Sequence, residues 1–124
     1  LARLTKSVVA VETDAGLAAT AAKTLQELGV SGVEPVAGPA EQGGAASAPY
    51  DIILIEGAVP EVPTAIADQL AEGGRLATVI ADPSGALGVA HLFVKQGGGV
   101  SGRPLFDAGT PSLPGFERPA RFTF

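Results

Sequence analysis

The sequence predicts an α/β fold, a mostly parallel sheet that ends in an antiparallel hairpin. Three observations predict it. Short, wholly apolar runs at Val8–Val11 and Ile52–Ile55 have the composition of strands buried on both faces. Between and after them, apolar residues recur at helical spacing and glycines follow. Near the end, strict alternation over Gly88–Gln96 leads into three consecutive glycines and a second strand-like run.

Taken in order, Ser7 to Glu12 is a valine-rich strand ending in an acid. Asp14 can cap the following helix, whose stripe is Leu17, Ala21, Leu25 and Leu28. Gly29 stands where a helix ends in a left-handed residue. Val33 to Ala37 is a second strand, and Pro35 suits an edge position. Gly38 to Pro49, rich in Gly, Ala, Pro and Ser, is a loop. Tyr50 to Glu56 is the clearest strand; Ile53 and Ile55 are expected on one face, Ile52 and Leu54 on the other, both under helices. Pro60 to Ala71 predicts a helix with Val62, Ile66 and Leu70 in line, stopped by Gly73-Gly74. Arg75 to Ala81 is another strand. Gly88–Gln96 and Val100–Phe106 form the hairpin, and Arg121–Phe124 is a candidate last strand. No linker or internal repeat divides the chain, so one partial domain over 1–124 is expected.

Composition narrows the function classes. Apolar residues make up 46% and charged residues 17%, which supports a packed core. There is no cysteine, so disulfides and thiolate metal sites are ruled out; a cytoplasmic setting fits. The net charge of −5 disfavours nucleic acid and anionic membranes as partners. With one histidine, His91, a zinc site would need mostly carboxylates, so no metal is expected. His91 itself reads as a strand-packing residue.

Two stretches carry a resemblance. Tyr50-Asp51-Ile52-Ile53-Leu54-Ile55-Glu56-Gly57-Ala58-Val59, with Val62-Pro63 and then Asp68-Gln69-Leu70-Ala71-Glu72-Gly73-Gly74-Arg75-Leu76, resembles the fourth strand, crossover helix and fifth strand of class I S-adenosylmethionine-dependent methyltransferases. The similarity is to the protein-L-isoaspartate O-methyltransferase family in particular. Val8-Val9-Ala10-Val11-Glu12 is similar to that family's second strand, and Leu1 to Leu4 to the end of its first helix. The resemblance implies a Rossmann-like sheet and S-adenosyl-L-methionine as cofactor. It also implies a methyl-acceptor substrate of protein type, and a chain that is the C-terminal part of such an enzyme, incomplete at the N-terminus.

It further implies a cofactor site at the C-terminal ends of the parallel strands, where ligands of open α/β sheets bind. Glu12 stands where the family's acid bonds the ribose hydroxyls; a carboxylate accepts two hydroxyl protons at once, which suits a vicinal diol. Thr13 would sit by the adenine. Glu56, ending its strand, would face the same crevice. No catalytic acid or base is assigned, since methyl transfer asks mainly for positioning. Two departures count. Gly38-Pro39 replaces the acid that bonds the adenine amino group, and Gly97-Gly98-Gly99 joins two strands rather than opening a helix. The family's glycine-rich loop belongs to a segment preceding Leu1. The chain alone is therefore expected not to bind the cofactor, and its strands at 7–12 and 50–56 to re-pair directly, to pair with another copy as a homo-oligomer, or to keep an upstream piece between them. The rival reading is a non-catalytic, degenerate methyltransferase-like module with a role in binding or assembly.

Overall fold

The computed structural model describes residues 1–118. The chain forms two compact units, Leu1–Ser47 and a second starting at Ala48.

In the first unit, β1 (Val8–Glu12) and β2 (Val33–Ala37) pair in parallel, from Val8 opposite Val33 to Glu12 opposite Ala37. Helix α1 (Ala15–Glu27) connects them. The Asp14 carboxylate accepts from the Leu17 N–H at 3.0 Å, which satisfies one of the free donors of the first turn. After the Leu28 C-cap, Gly29 takes φ 66°, as expected for the residue that ends the helix. Pro35 lies opposite Ala10 in β2, a strand with one hydrogen-bonded neighbour, where a missing N–H is tolerated. Only part of the predicted apolar stripe forms the contact: Leu25 is half-buried, while Ala21 is exposed. Leu17 is 58% and Leu28 72% exposed, whereas Ala18 is buried. Two strands about 4.8 Å apart offer only a narrow surface, so a small residue seats the helix and the flanking leucines stay outside. The loop at 38–49 holds two single 3-10 turns, Ala40–Gln42 and Ala45–Ser47.

In the second unit, β3 (Tyr50–Val59), β4 (Leu70–Ile80), β5 (Gly88–Gln96) and β6 (Gly99–Ala108) form one sheet in that order. The β3–β4 pair is parallel, and the other two pairs are antiparallel. This is the expected parallel sheet with a hairpin at its end. Between β3 and β4 the long helix expected over 60–71 is a single turn, α2 (Thr64–Ala67). Pro60 and Pro63 remove two N–H donors before it. After it, the chain turns extended so that Tyr50 N–H reaches the Gln69 carbonyl at 2.7 Å and Leu70 stands opposite Tyr50. Ile66 and Leu70 are both buried, so the four-residue spacing is real although a strand begins at its second member.

Gly73-Gly74 does not end a helix; it forms an irregularity inside β4, where Tyr50 and Ile52 of β3 face Leu70 and Arg75. Gly73 has φ 77°. A Cβ on Gly74 would lie 2.7 Å from the Ala71 carbonyl oxygen and 3.0 Å from that of Tyr50.

The core of this unit centres on Val59, Leu70 and Leu76, with Ile55, Ala58, Ile66 and Phe116 around them. The chain returns to β3 after β6: Ala58 N–H donates to the Pro111 carbonyl and Leu113 N–H to that of Ala58. Cover on both faces of β3, as the sequence predicts, is not found. Ile52 is 57% and Leu54 47% exposed, because the only helix of this unit among the described residues is one turn long. The candidate strand at 121–124 lies outside the described residues.

One side chain ties the hairpin to the sheet. The Glu72 carboxylate accepts from the N–H groups of both Gly97 and Gly98 at the β5–β6 turn. Lys95 Nζ donates to the Leu70 carbonyl at 3.0 Å in the same region. Glu72→Ala is expected to lower stability by about 1 kcal/mol, less than the ~1.5–3 kcal/mol of a buried charged hydrogen bond because water reaches the site, and to speed hydrogen exchange at Val94 to Gly98. A urea melt within error of the parent would show that the turn holds without its carboxylate.

Candidate functional site

Glu12 occupies the last position of β1 and is half-buried. Its backbone carbonyl accepts from Gly38 N–H at 3.0 Å, which continues the parallel pairing one step beyond β2. Its side-chain Oε1 accepts from Asp14 N–H at 3.1 Å. That bond holds the carboxylate at the turn from strand to helix, and it leaves the second oxygen with no protein donor among the described residues. Thr13 follows, exposed, and its hydroxyl accepts from Ala40 N–H at 3.1 Å. The loop after β2 is thereby fixed beside the strand end, and the Thr13 O–H proton stays available for donation.

Glu56 is placed differently. It is exposed on β3, but β3 runs on through Gly57, Ala58 and Val59. Glu56 does not end its strand. The extension has a physical cause: these three residues are small or apolar, all buried, and Ala58 and Val59 pair with Val79 and Ile80. The Leu113 side chain fills the space a Cβ on Gly57 would take.

Two residues beyond β4, Asp82 serves a turn. Asp82 Oδ1 accepts from Ser84 Oγ at 2.5 Å and from Ser84 N–H at 2.7 Å. The Ser84 hydroxyl first, and its N–H second, hold the Asp82 carboxyl below the usual aspartate range. A depressed carboxylate adds stability above its unfolded pKa, and the contribution fades as pH falls through the folded value. In a carbonyl-detected NMR titration Asp82 is expected to titrate below the usual aspartate value, and Ser84→Ala to move it back up. An unmoved midpoint in that variant would remove the hydroxyl as the cause.

His91 packs in β5 as expected: its Nδ1 lies 2.9 Å from the Val89 carbonyl, and its ring stacks on Phe93 at 5.8 Å. Arg118 anchors the tail on the Pro60 carbonyl at 3.1 Å and on Glu61 at 3.7 Å. Arg103 lies in β6. Among the described residues no group of three His, Asp or Glu side chains is placed to hold a metal ion, and no helix is long and apolar enough to cross a membrane. Sequence reasoning passed over Glu72, Glu61 and Asp68. Only the distance between Glu72 and the glycine turn in sequence hid the first; the other two looked like the solvent face of a helix.

Comparison with known proteins bears on the whole arrangement. The model of the family described as Protein-L-isoaspartate(D-aspartate) O-methyltransferase matches residues 1–105, a stretch that runs through both units. A Protein-L-isoaspartate O-methyltransferase of Koribacter versatilis is 36% identical over 107 residues, 86% of this chain and 47% of that protein. One from Methanoculleus marisnigri is 45% identical over 76 residues, 61% of this chain and 34% of that protein. A solved protein-L-isoaspartate O-methyltransferase superposes with a TM-score of 0.82 at 28% identity, covering 89% of this chain and 35% of its own. A Plasmodium falciparum structure of this kind, in complex with S-adenosyl-L-homocysteine, has a TM-score of 0.73 at 20% identity, covers 88% of this chain and 53% of its own, and shows the fold. The chain spans between a third and a half of the curated relatives it matches. By the match over most of its length, the chain belongs to the protein-L-isoaspartate(D-aspartate) O-methyltransferase family.

Proposed function

We propose that these residues form part of the single S-adenosyl-L-methionine-binding domain of a protein-L-isoaspartate O-methyltransferase, with Glu12 as the residue that holds the ribose. The observation that carries this reading is the Glu12 carboxylate. It sits at the C-terminal end of a parallel strand, with one oxygen accepting from Asp14 N–H and the other without a protein donor among the described residues. Such a group fits a vicinal diol, because it offers only acceptors. Thr13, with a hydroxyl proton to donate, suits a neighbouring ring nitrogen. When bound, the cofactor supplies a methyl group on a sulfonium sulfur, which passes to a carboxylate oxygen of the acceptor to give an ester while the sulfur keeps the bonding electron pair. The chain's own part is binding and orientation, which is where most of the barrier lowering in such a displacement arises.

In this reading Glu56 contributes less than Glu12. It stands three residues, or about 10 Å at the rise of a strand, before the end of β3. A protein acceptor, a cytoplasmic setting and a homo-oligomeric form belong to the same proposal. The non-catalytic reading keeps one observation in its favour: Pro39 stands at the position of the adenine acid, and the next N–H, Ala40, is spent on Thr13.

Calorimetry with S-adenosyl-L-methionine separates the two. It is run on residues 1–124 and on the same residues within a protein of the relatives' length. Saturable heat in the longer form alone is the expected result. Absence of heat in the longer form would leave the non-catalytic module as the reading.

A further inference from the structure

The second unit carries a groove of about 620 Å³ that the methyl-transfer reading does not use. Its floor is the face of the sheet bearing Phe93 and His91; its wall is the segment from Pro60 through α2 to Asp68. Sites for small ligands fall in this size range. The Phe93 ring is fixed from two sides. It stacks on His91 with 23° between the planes, and it fills the space a Cβ on Gly102 would occupy. Every polar side chain in the lining accepts hydrogen bonds. Asp68 and Glu61 are carboxylates, and Thr64 adds a hydroxyl. His91 Nδ1 lies 2.9 Å from the Val89 carbonyl; in the tautomer that donates there, Nε2 is an acceptor. Among the described residues no Lys or Arg lines the groove. Lys95, next on the same face of β5, is spent on the Leu70 carbonyl.

The geometry points to a binding site for an arginine side chain presented by another polypeptide. A guanidinium is planar, carries five donors and no acceptor, and stacks on aromatic faces while it bonds carboxylates. This lining offers a fixed aromatic floor and an all-acceptor rim, so it matches that group on both counts. The rim already holds one guanidinium of its own chain: Arg118 bonds the Pro60 carbonyl at 3.1 Å and pairs with Glu61 at 3.7 Å. That leaves Asp68, which has no ion pair among the described residues, as the free countercharge. An anionic ligand would meet two carboxylates, and an ammonium would lack the flat face that the Phe93 ring selects.

The test is an amide-detected NMR titration of the full chain with Nα-acetyl-arginine amide, beside the lysine and citrulline analogues. Saturable shifts at Asp68, His91 and Phe93 are expected with arginine. Lysine should bind roughly 3-fold more weakly for want of stacking, and citrulline, which is uncharged, should not saturate. Asp68→Asn should weaken arginine binding about 10-fold, the loss of one charged hydrogen bond, with the thermal melt unchanged. Phe93→Leu, which keeps an apolar floor, should remove the preference for arginine over lysine. Absence of saturable shifts overturns the proposal. So does equal binding of lysine, or arginine binding that Asp68→Asn leaves intact. Shifts at the same residues that depend on protein concentration without any probe would assign the groove to a second copy and overturn it as well.

Discussion

Leu76→Ala is expected to cost about 2–5 kcal/mol of unfolding free energy, while Leu54→Ala should cost under about 1 kcal/mol. The two leucines are close in the sheet, and their neighbours decide the difference. Leu76 is wholly buried. It stands opposite Ile53 on one side and Phe93 on the other, and it shares the core with Leu70 and Val59. Truncation there removes apolar surface from a packed site and leaves a cavity that three strands must close around. Leu54 stands opposite Ala77 on the other face and is 47% exposed. Its truncation removes surface that water already reaches. Urea melts of the two variants against the parent give both numbers. Equal losses would mean that the Ile52–Leu54 face is covered in solution, and the open face described for β3 would be wrong.

The same pair of faces marks how far the sequence can be read. Four consecutive aliphatics at Ile52–Ile55 specify a strand, and a strand is there. They do not specify what covers each face, because an apolar side chain carries no record of its neighbour. The Gly88–Gln96 strand was legible to the residue, since alternation and bounding glycines fix both its period and its ends. The Pro60–Ala71 segment was not. Ile66 and Leu70 keep helical spacing, but that spacing is also met by one helical turn followed by the first residue of a strand. The pairing of Leu70 with Tyr50 settles the matter through a contact remote in sequence. In α1 the stripe gave the right element but only part of the buried face, which runs through Ala18 and Leu25 and leaves Leu17 and Leu28 exposed. In the candidate site, Glu12 was legible because Asp14 begins a helix so soon after it that the strand must end there. Glu56 had no such stop beside it; Gly57-Ala58-Val59 suited either a turn or more strand, and the buried pairing with β4 made it strand.

Glu12→Ala, in a protein of the relatives' length, is expected to weaken S-adenosyl-L-methionine binding by roughly 10–150-fold. That is the equivalent of about 1.5–3 kcal/mol for a lost charged hydrogen bond. The figure concerns the side-chain oxygen that no protein donor holds among the described residues. The substitution also removes the bond from Asp14 N–H, so a stability effect must be told apart from a binding effect. That backbone donor is exposed and turns to water at small cost, so the melting temperature without ligand should move little. Glu12→Gln refines the test. Its amide carbonyl can still take the Asp14 N–H, which leaves an NH₂ group where the diol needs an acceptor. Glutamine should therefore restore the ligand-free melt to that of the parent while affinity stays as low as in the alanine variant. A Glu12→Gln protein that binds like the parent in titration calorimetry would remove Glu12 from the ribose site.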